Sequence, residues 1–202
     1  MKFPHYHRNA YSLLELLIVV GIIATLLSAS IPALNRSANV NRAAGEIPQL
    51  LESARTYAMA HNTYVWVGFY LDSTNQRLSI GTVAGNTGQS DDLSASTYSP
   101  LAKVRTFDQF TLKRINGLSG MATNGDNIID SKIGSFVNTA AGTSITFTQI
   151  IQYSPQGVAS VLLDSSSHWI QIGLTPSNSA NTTNVAVFQV ATLTGQVQVF
   201  RP

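Results

Sequence analysis

Residues 13–34 form a nearly unbroken apolar run, LLELLIVVGIIATLLSASIPAL, with one formal charge inside it, Glu15. About twenty apolar residues suffice to cross a bilayer as a helix, so the run predicts a membrane-length helix beginning at Tyr11. Pro32 lacks an N–H and crowds the preceding turn, which predicts a kink or local break there. Beyond it, NRSANVNRAAGEI is polar and holds Gly45. The stretch IPQLLESARTYAMAHN then places Ile47, Leu50, Leu51, Ala54, Tyr57 and Ala58 at spacings of three and four. Such a stripe predicts a helix with one face against a sheet, and Pro48 suits its first turn. A helix continuous from Tyr11 to His61 would be roughly 75 Å long, more than a globular domain needs.

After His61 the period changes from helical to alternating. TYVWVGFYL (residues 63–71), RLSIGTV (77–83), FDQFTLKRI (107–115) and SITFTQIIQY (144–153) are rich in β-branched and aromatic residues. GVASVLLD, HWIQIGL, NVAVFQVAT and GQVQVFRP follow, separated by Gly, Pro, Asn and Ser. The short spacing predicts antiparallel meanders rather than βαβ units. Two polar stretches, residues 84–99 and 116–142, exceed ordinary loop lengths and are expected to be surface excursions.

Composition narrows the function classes. The 202 residues are 44% hydrophobic and only 11% charged, with a net charge of +2. There is no Lys/Arg block of the kind that marks a nucleic-acid arm. Zero cysteine excludes disulfides, thiolate metal sites and a cysteine nucleophile.

Glu15 is the residue that needs a cause. An acidic side chain in hydrocarbon costs about 2.5–3.5 kcal/mol even on lenient insertion scales. A cleaved secretory signal has a shorter apolar core and a small-residue cut site, which SAS at residues 28–30 imitates. A plain anchor is a second reading, with Lys2 and Arg8 placing the N-terminus in the cytoplasm. Neither explains the carboxylate.

AYSLLELLIVVGIIATLLSASIPAL resembles the N-terminal segment of type IV prepilins and type II secretion pseudopilins. In that family a basic leader is cut on the cytoplasmic side, the new N-terminus is methylated, and a Glu stands fifth after the cut. The resemblance implies cleavage between Ala10 and Tyr11, methylation of Tyr11, and an assembly role for Glu15 and Pro32. Ala10 stands where the family usually has Gly, and Tyr11 where it has Phe. In a filament core the free amine of Tyr11 would pair with a Glu15 carboxylate, its own or a neighbour's, offsetting the desolvation of both. The bland reading is that Glu15 snorkels to the headgroups. Downstream, LLESARTYAMAHNTYVWV, IQYSPQGVAS and ATLTGQVQVFRP resemble the helix end, hairpin and closing strand of the GspH/FimT branch.

The remaining candidate chemistry is sparse. His5, His7, His61 and His168 show no metal spacing, and the first two fall in the leader. NGDNIID (124–130) loosely resembles a calcium loop, with Asp91 and Asp92 as distant partners, but lacks the ligand order. A turn is the simpler reading. Asp164, Ser165–Ser167 and His168 are sequence neighbours, an arrangement better suited to a turn than to a triad. Lys103, Arg105, Lys113, Arg114 and Arg201 are the basic residues that could contact DNA, although a solvated strand face explains the same charges more simply.

The sequence therefore predicts an α+β chain of the pilin type, not an enzyme, with no cofactor and no metal. Its expected organisation is a leader (1–10), a transmembrane and filament-core helix (11–35), an amphipathic continuation (36–62) and a β-sheet or β-sandwich head (63–202). The implied function is that of a minor pseudopilin or minor pilin in a type II secretion pseudopilus or type IV pilus. The alternative is a DNA- or ligand-binding tip subunit of a competence-type pilus. Implied partners are the prepilin peptidase/N-methyltransferase, other pilins through the stem, and the bacterial inner membrane, crossed once with the head outside the cytoplasm.

Overall fold

The computed structural model describes residues 13–123, 125–140, 142–162, 167–177 and 184–202, with the side chains of residues 28–39 and 140 outside the description. The chain forms two compact units, Met1–Ser37 and Ala38–Pro202. One helix, α1 (Leu13–His61), enters both. It runs unbroken through Pro32, where the sequence predicted a kink or local break, and through Gly45 and Pro48.

In the first unit the described side chains of α1 are exposed on every side, from Leu13 and Leu14 to Leu26 and Leu27, and are apolar apart from Glu15 and Thr25. Among the described residues no helix is long and apolar enough to cross a membrane. Side chains are described here only as far as Leu27, about four turns, whereas the apolar run continues to Leu34.

In the second unit α1 buries Val40, Ala43, Ile47, Leu51, Ala54 and Ala58, a stripe at spacings of three and four. It starts earlier than the polar composition around Gly45 suggested. Leu50 and Tyr57 flank it, partly buried. Asn62 ends the helix in the left-handed region (φ 48°), and Thr63 N–H returns to Ala58 O at 3.1 Å. This cap turns the chain straight into the first strand.

Twelve strands follow among the described residues: β1 (Val65–Asp72), β2 (Arg77–Gly85), β3 (Tyr98–Asp108), β4 (Phe110–Leu112), β5 (Asp126–Asn127), β6 (Phe136–Ala140), β7 (Thr143–Phe147), β8 (Gln149–Tyr153), β9 (Ala159–Ser160), β10 (Trp169–Pro176), β11 (Ala186–Ala191) and β12 (Val197–Phe200). The first sheet has the order β3-β2-β1-β8-β9, and the second β12-β11-β10-β4. Short β5 lies parallel beside β10, and β6–β7 is a separate hairpin. All other pairings are antiparallel, as the short strand spacing predicted. The stripe of α1 shares one core with Val65, Val67 and Phe69 of the first sheet and Ile170, Ile172 and Phe188 of the second.

Two strands read as continuous are divided. The expected strand 107–115 breaks at Gln109 (φ 66°), where the chain leaves the first sheet for the second. The expected strand 144–153 breaks at Thr148, because β7 pairs in the hairpin while β8 pairs with β1. The two polar stretches are not mere excursions either. In the first, Leu93 is buried beside Trp66 and Val83. In the second, the side-chain amide of Gln189 accepts from Ala122 N–H and donates to Ala122 O, holding the segment against β11. Further on, Ile128 enters the main core, and Phe136 and Phe147 cover the outer face of β1. A sheet buried on both faces needs such covers, which is why polar sequence here is structural.

Candidate functional site

Glu15 lies in the first described turn of α1, exposed among apolar neighbours. Ala10 and Tyr11 lie outside the described residues, as does the side chain of Pro32. What the first unit offers is therefore a helix with apolar side chains on all sides and one acid near its start. Leu13 is 82% exposed and Leu26 64%. A helix apolar all round is stable only where other apolar groups surround it.

The basic residues do not act as one group. Lys103 and Arg105 sit exposed on β3, the outer strand of the first sheet. Lys113 and Arg114 follow β4 in the second sheet, and Arg114 pairs with Asp130. Arg201 reaches back to α1, donating to Asn41 Oδ1 at 2.8 Å and to Val40 O at 3.0 Å.

The acidic loops are self-satisfied. Asp92 is buried, and its carboxylate accepts from Thr87 N–H, Thr87 Oγ1 and Thr97 Oγ1. Burial works to raise its pKa, but these hydrogen bonds and one from Gly88 outweigh that and hold it below its ordinary value. Within residues 124–130, Asn127 Oδ1 caps a 3-10 turn by accepting from Ile129 N–H, Asp130 pairs with Arg114, and Asn124 lies outside the description. No three His, Asp or Glu side chains converge among the described residues.

His61 stacks on Tyr57, one turn back, with ring centroids 4.1 Å apart. His5 and His7 lie outside the described residues, as do Asp164, Ser165 and Ser166. His168 and Ser167 line a half-open cavity of about 450 Å³ with Asp126, Tyr64 and Gln152. Ser167 Oγ donates to Asp126 Oδ1 at 3.0 Å.

A cluster that sequence reasoning did not single out joins the three downstream segments of the chain. Arg55, on α1, is enclosed by two tight turns whose glycines have positive φ: Gly157 (81°) after β8 and Gly195 (67°) before β12. A side chain on Gly157 would meet Arg55 Nε and Met59 Sδ, and one on Gly195 would meet Gly157 O and Arg55. Glu52 completes the clamp, accepting from Arg55 Nη1 at 3.3 Å and from Val197 N–H at 3.2 Å. Beneath it the Tyr153 hydroxyl is fully buried, and that burial pushes its pKa well up, with Glu52 adding to the rise and Arg55 opposing it. The signal available in the sequence was the pair of turn glycines in SPQG and TLTG; their convergence on one arginine was not.

No family model matches the chain, and no curated protein matches it by sequence. Among solved structures it is similar to the crystal structure of the type IV minor pilin FimU of Pseudomonas aeruginosa, strain PAO1. The identity is 14%, covering 81% of this chain and 88% of that one, at a TM-score of 0.37.

Proposed function

We propose that this chain is a minor pilin or minor pseudopilin, a subunit of a filament assembled from the bacterial inner membrane. The observation that carries the reading is the two-part character of α1. Its first turns expose apolar side chains all round, whereas residues 40–58 bury one stripe in the head's core. A free helix with that apolar surface is unstable in water, so lipid or other such helices must cover it. Glu15 at its start supplies the one charge that could pair with a processed N-terminal amine. In this reading the precursor crosses the membrane once, is trimmed after Ala10, is methylated at Tyr11, and packs sideways with other stems. The head domain then decorates or caps the fibre.

The test is the mature N-terminus. Intact-mass and N-terminal analysis of membrane-extracted protein, made with active prepilin peptidase, should give a chain starting at N-methyl-Tyr11. An untrimmed Met1, or a start after Ser30, overturns the proposal.

The DNA-binding alternative gains no support from the placement of its residues. Arg201 and Arg114 are engaged within the head, and Lys103 and Arg105 stand on a strand edge where charges have another use.

A further inference from the structure

Among the described residues, no strand pairs with the outer edge of β7 in the hairpin β6–β7. Val137 donates its N–H to the Tyr98 hydroxyl at 3.1 Å, and Thr139 donates to Asn138 Oδ1 at 2.7 Å. Both N–H groups therefore point away from β7. The pairs Val137↔Thr146 and Thr139↔Ser144 are then the non-hydrogen-bonded pairs of the antiparallel ladder. In such pairs both partners turn their backbone groups outward, so Ser144 and Thr146 present N–H and C=O on the far side of β7.

That side is open. Residues 143–146 line a cleft of about 580 Å³ whose floor includes Tyr70, Ser79 and Thr106. Side chains of successive strand residues alternate between faces, so a cleft lined by all four residues fits the strand's edge better than either face. The floor residues form one cross-strand row on the first sheet: Tyr70 opposes Ser79, and Ser79 opposes Thr106. The charges at the rim, Asp72 and Arg77, are opposite in sign.

The outer edge of the first sheet at β3 is defended. β3 carries Pro100, Lys103 and Arg105 and two register shifts against β2, devices that prevent strand addition. β7, with the sequence TSITF, has no proline, no charge and no bulge.

We propose that the outer edge of β7 is a docking edge that receives an extended segment of a partner polypeptide as a third strand. The backbone groups of Ser144 and Thr146 recur every second residue, a repeat that an extended chain matches. The hydroxyl floor and the balanced rim select a partner strand with small, uncharged side chains facing Tyr70, Ser79 and Thr106.

The test uses the full chain in detergent micelles and a capped heptapeptide of alternating threonine and valine as probe. Amide hydrogen exchange should slow about tenfold or more at Ser144 and Thr146 when the peptide is added. Ile145 should not change, because its backbone already faces Asn138 in the ladder. Thr146→Pro removes an outward donor while sparing the hairpin ladder, and it should abolish the effect. Ser144→Lys, an edge guard that leaves the backbone intact, should weaken peptide binding about tenfold. No slowing at saturating peptide overturns the proposal, as does equal slowing in wild type and in Ser144→Lys. Slowing that rises with protein concentration without peptide overturns it too, since the occupant is then a second copy.

Discussion

Gly68 on β1 stands directly opposite Gly81 on β2, and the stacked rings of Phe136 and Phe147 rest over the pair. The two glycines leave a flat window in the outer face of the first sheet. Through it the hairpin β6–β7 approaches the backbone and closes a second small core with Trp66, Val83 and Ile150.

A methyl group at either position should unseat the hairpin, and the two should differ. A Cβ on Gly68 would stand 2.5 Å from Phe147 Cβ, which is fixed to its own strand. A Cβ on Gly81 would stand 2.8 Å from the far edge of the Phe147 ring, which can turn aside. Overpacking costs about 1–3 kcal/mol, so Gly68→Ala is expected near the top of that range and Gly81→Ala near the bottom. Denaturant unfolding of both variants checks the order. Equal, negligible losses would mean that the hairpin does not seat on the glycines.

The Asp92 staple makes the loop between β2 and β3 sensitive to acid. Its hydrogen bonds lower the folded pKa, so the contribution is complete above the ordinary aspartate value of about 3.9 and is lost as pH falls toward the lower folded value. Asp92→Asn cannot accept all the bonds from Thr87 and Thr97, and should cost about 1–3 kcal/mol near neutral pH. Unfolding measured from about pH 2 to 6 should show a steeper acid-side loss for wild type than for Asp92→Asn. Parallel profiles would dismiss the staple.

The clamp on Arg55 predicts a sharp intolerance at Gly195. An alanine there adopts φ 67°, a region costing non-glycine residues about 1–3 kcal/mol, and its methyl collides with Gly157 O and Arg55. Gly195→Ala should therefore destabilise the head by at least that range. Arg55→Ala in the same chain removes one of the two collisions and should recover part of the loss. Thermal melts of the single and double variants decide it. Strictly additive losses would show that Arg55 and Gly195 do not meet.

Much of the fold was legible because its signals are local. The stripe from Ile47 to Ala58 and the β-rich runs from Val65 to Val83 follow from side-chain spacing alone. Some failures share a cause: polar residues that pack at long range. Gln189 looks like an outward strand residue, yet it is buried and binds the backbone of Ala122. Residues 116–142 looked like loop because they are polar, whereas their task is to cover sheet faces that would otherwise be wet. The breaks at Gln109 and Thr148 were invisible because both flanks are good strand sequence; only the pairing partners differ. Of the candidate residues, Glu15 stood out by chemistry, one acid in an apolar run. Arg55 did not, because an arginine on an amphipathic helix is unremarkable until two turns close on it.

The last prediction concerns Glu15 itself. Glu15→Gln removes the charge while keeping size and most hydrogen bonding. If the carboxylate pairs with the Tyr11 amine in an assembled core, the variant leaves that amine buried without a partner. Breaking one side of a buried pair costs about 3–5 kcal/mol, enough to lower incorporation by about two orders of magnitude or more. Membrane insertion should not suffer, since a neutral amide enters lipid more easily than a carboxylate. The variant should therefore accumulate in the membrane, be trimmed after Ala10, and be missing from sheared filaments or pseudopilus fractions. Glu15→Leu should insert more readily still and assemble no better. Quantifying wild type and both variants in membrane and filament fractions separates the causes. Wild-type incorporation of either variant would make Glu15 a snorkelling residue. A partial defect in both would place the subunit at the tip, where it makes fewer lateral contacts than along the shaft.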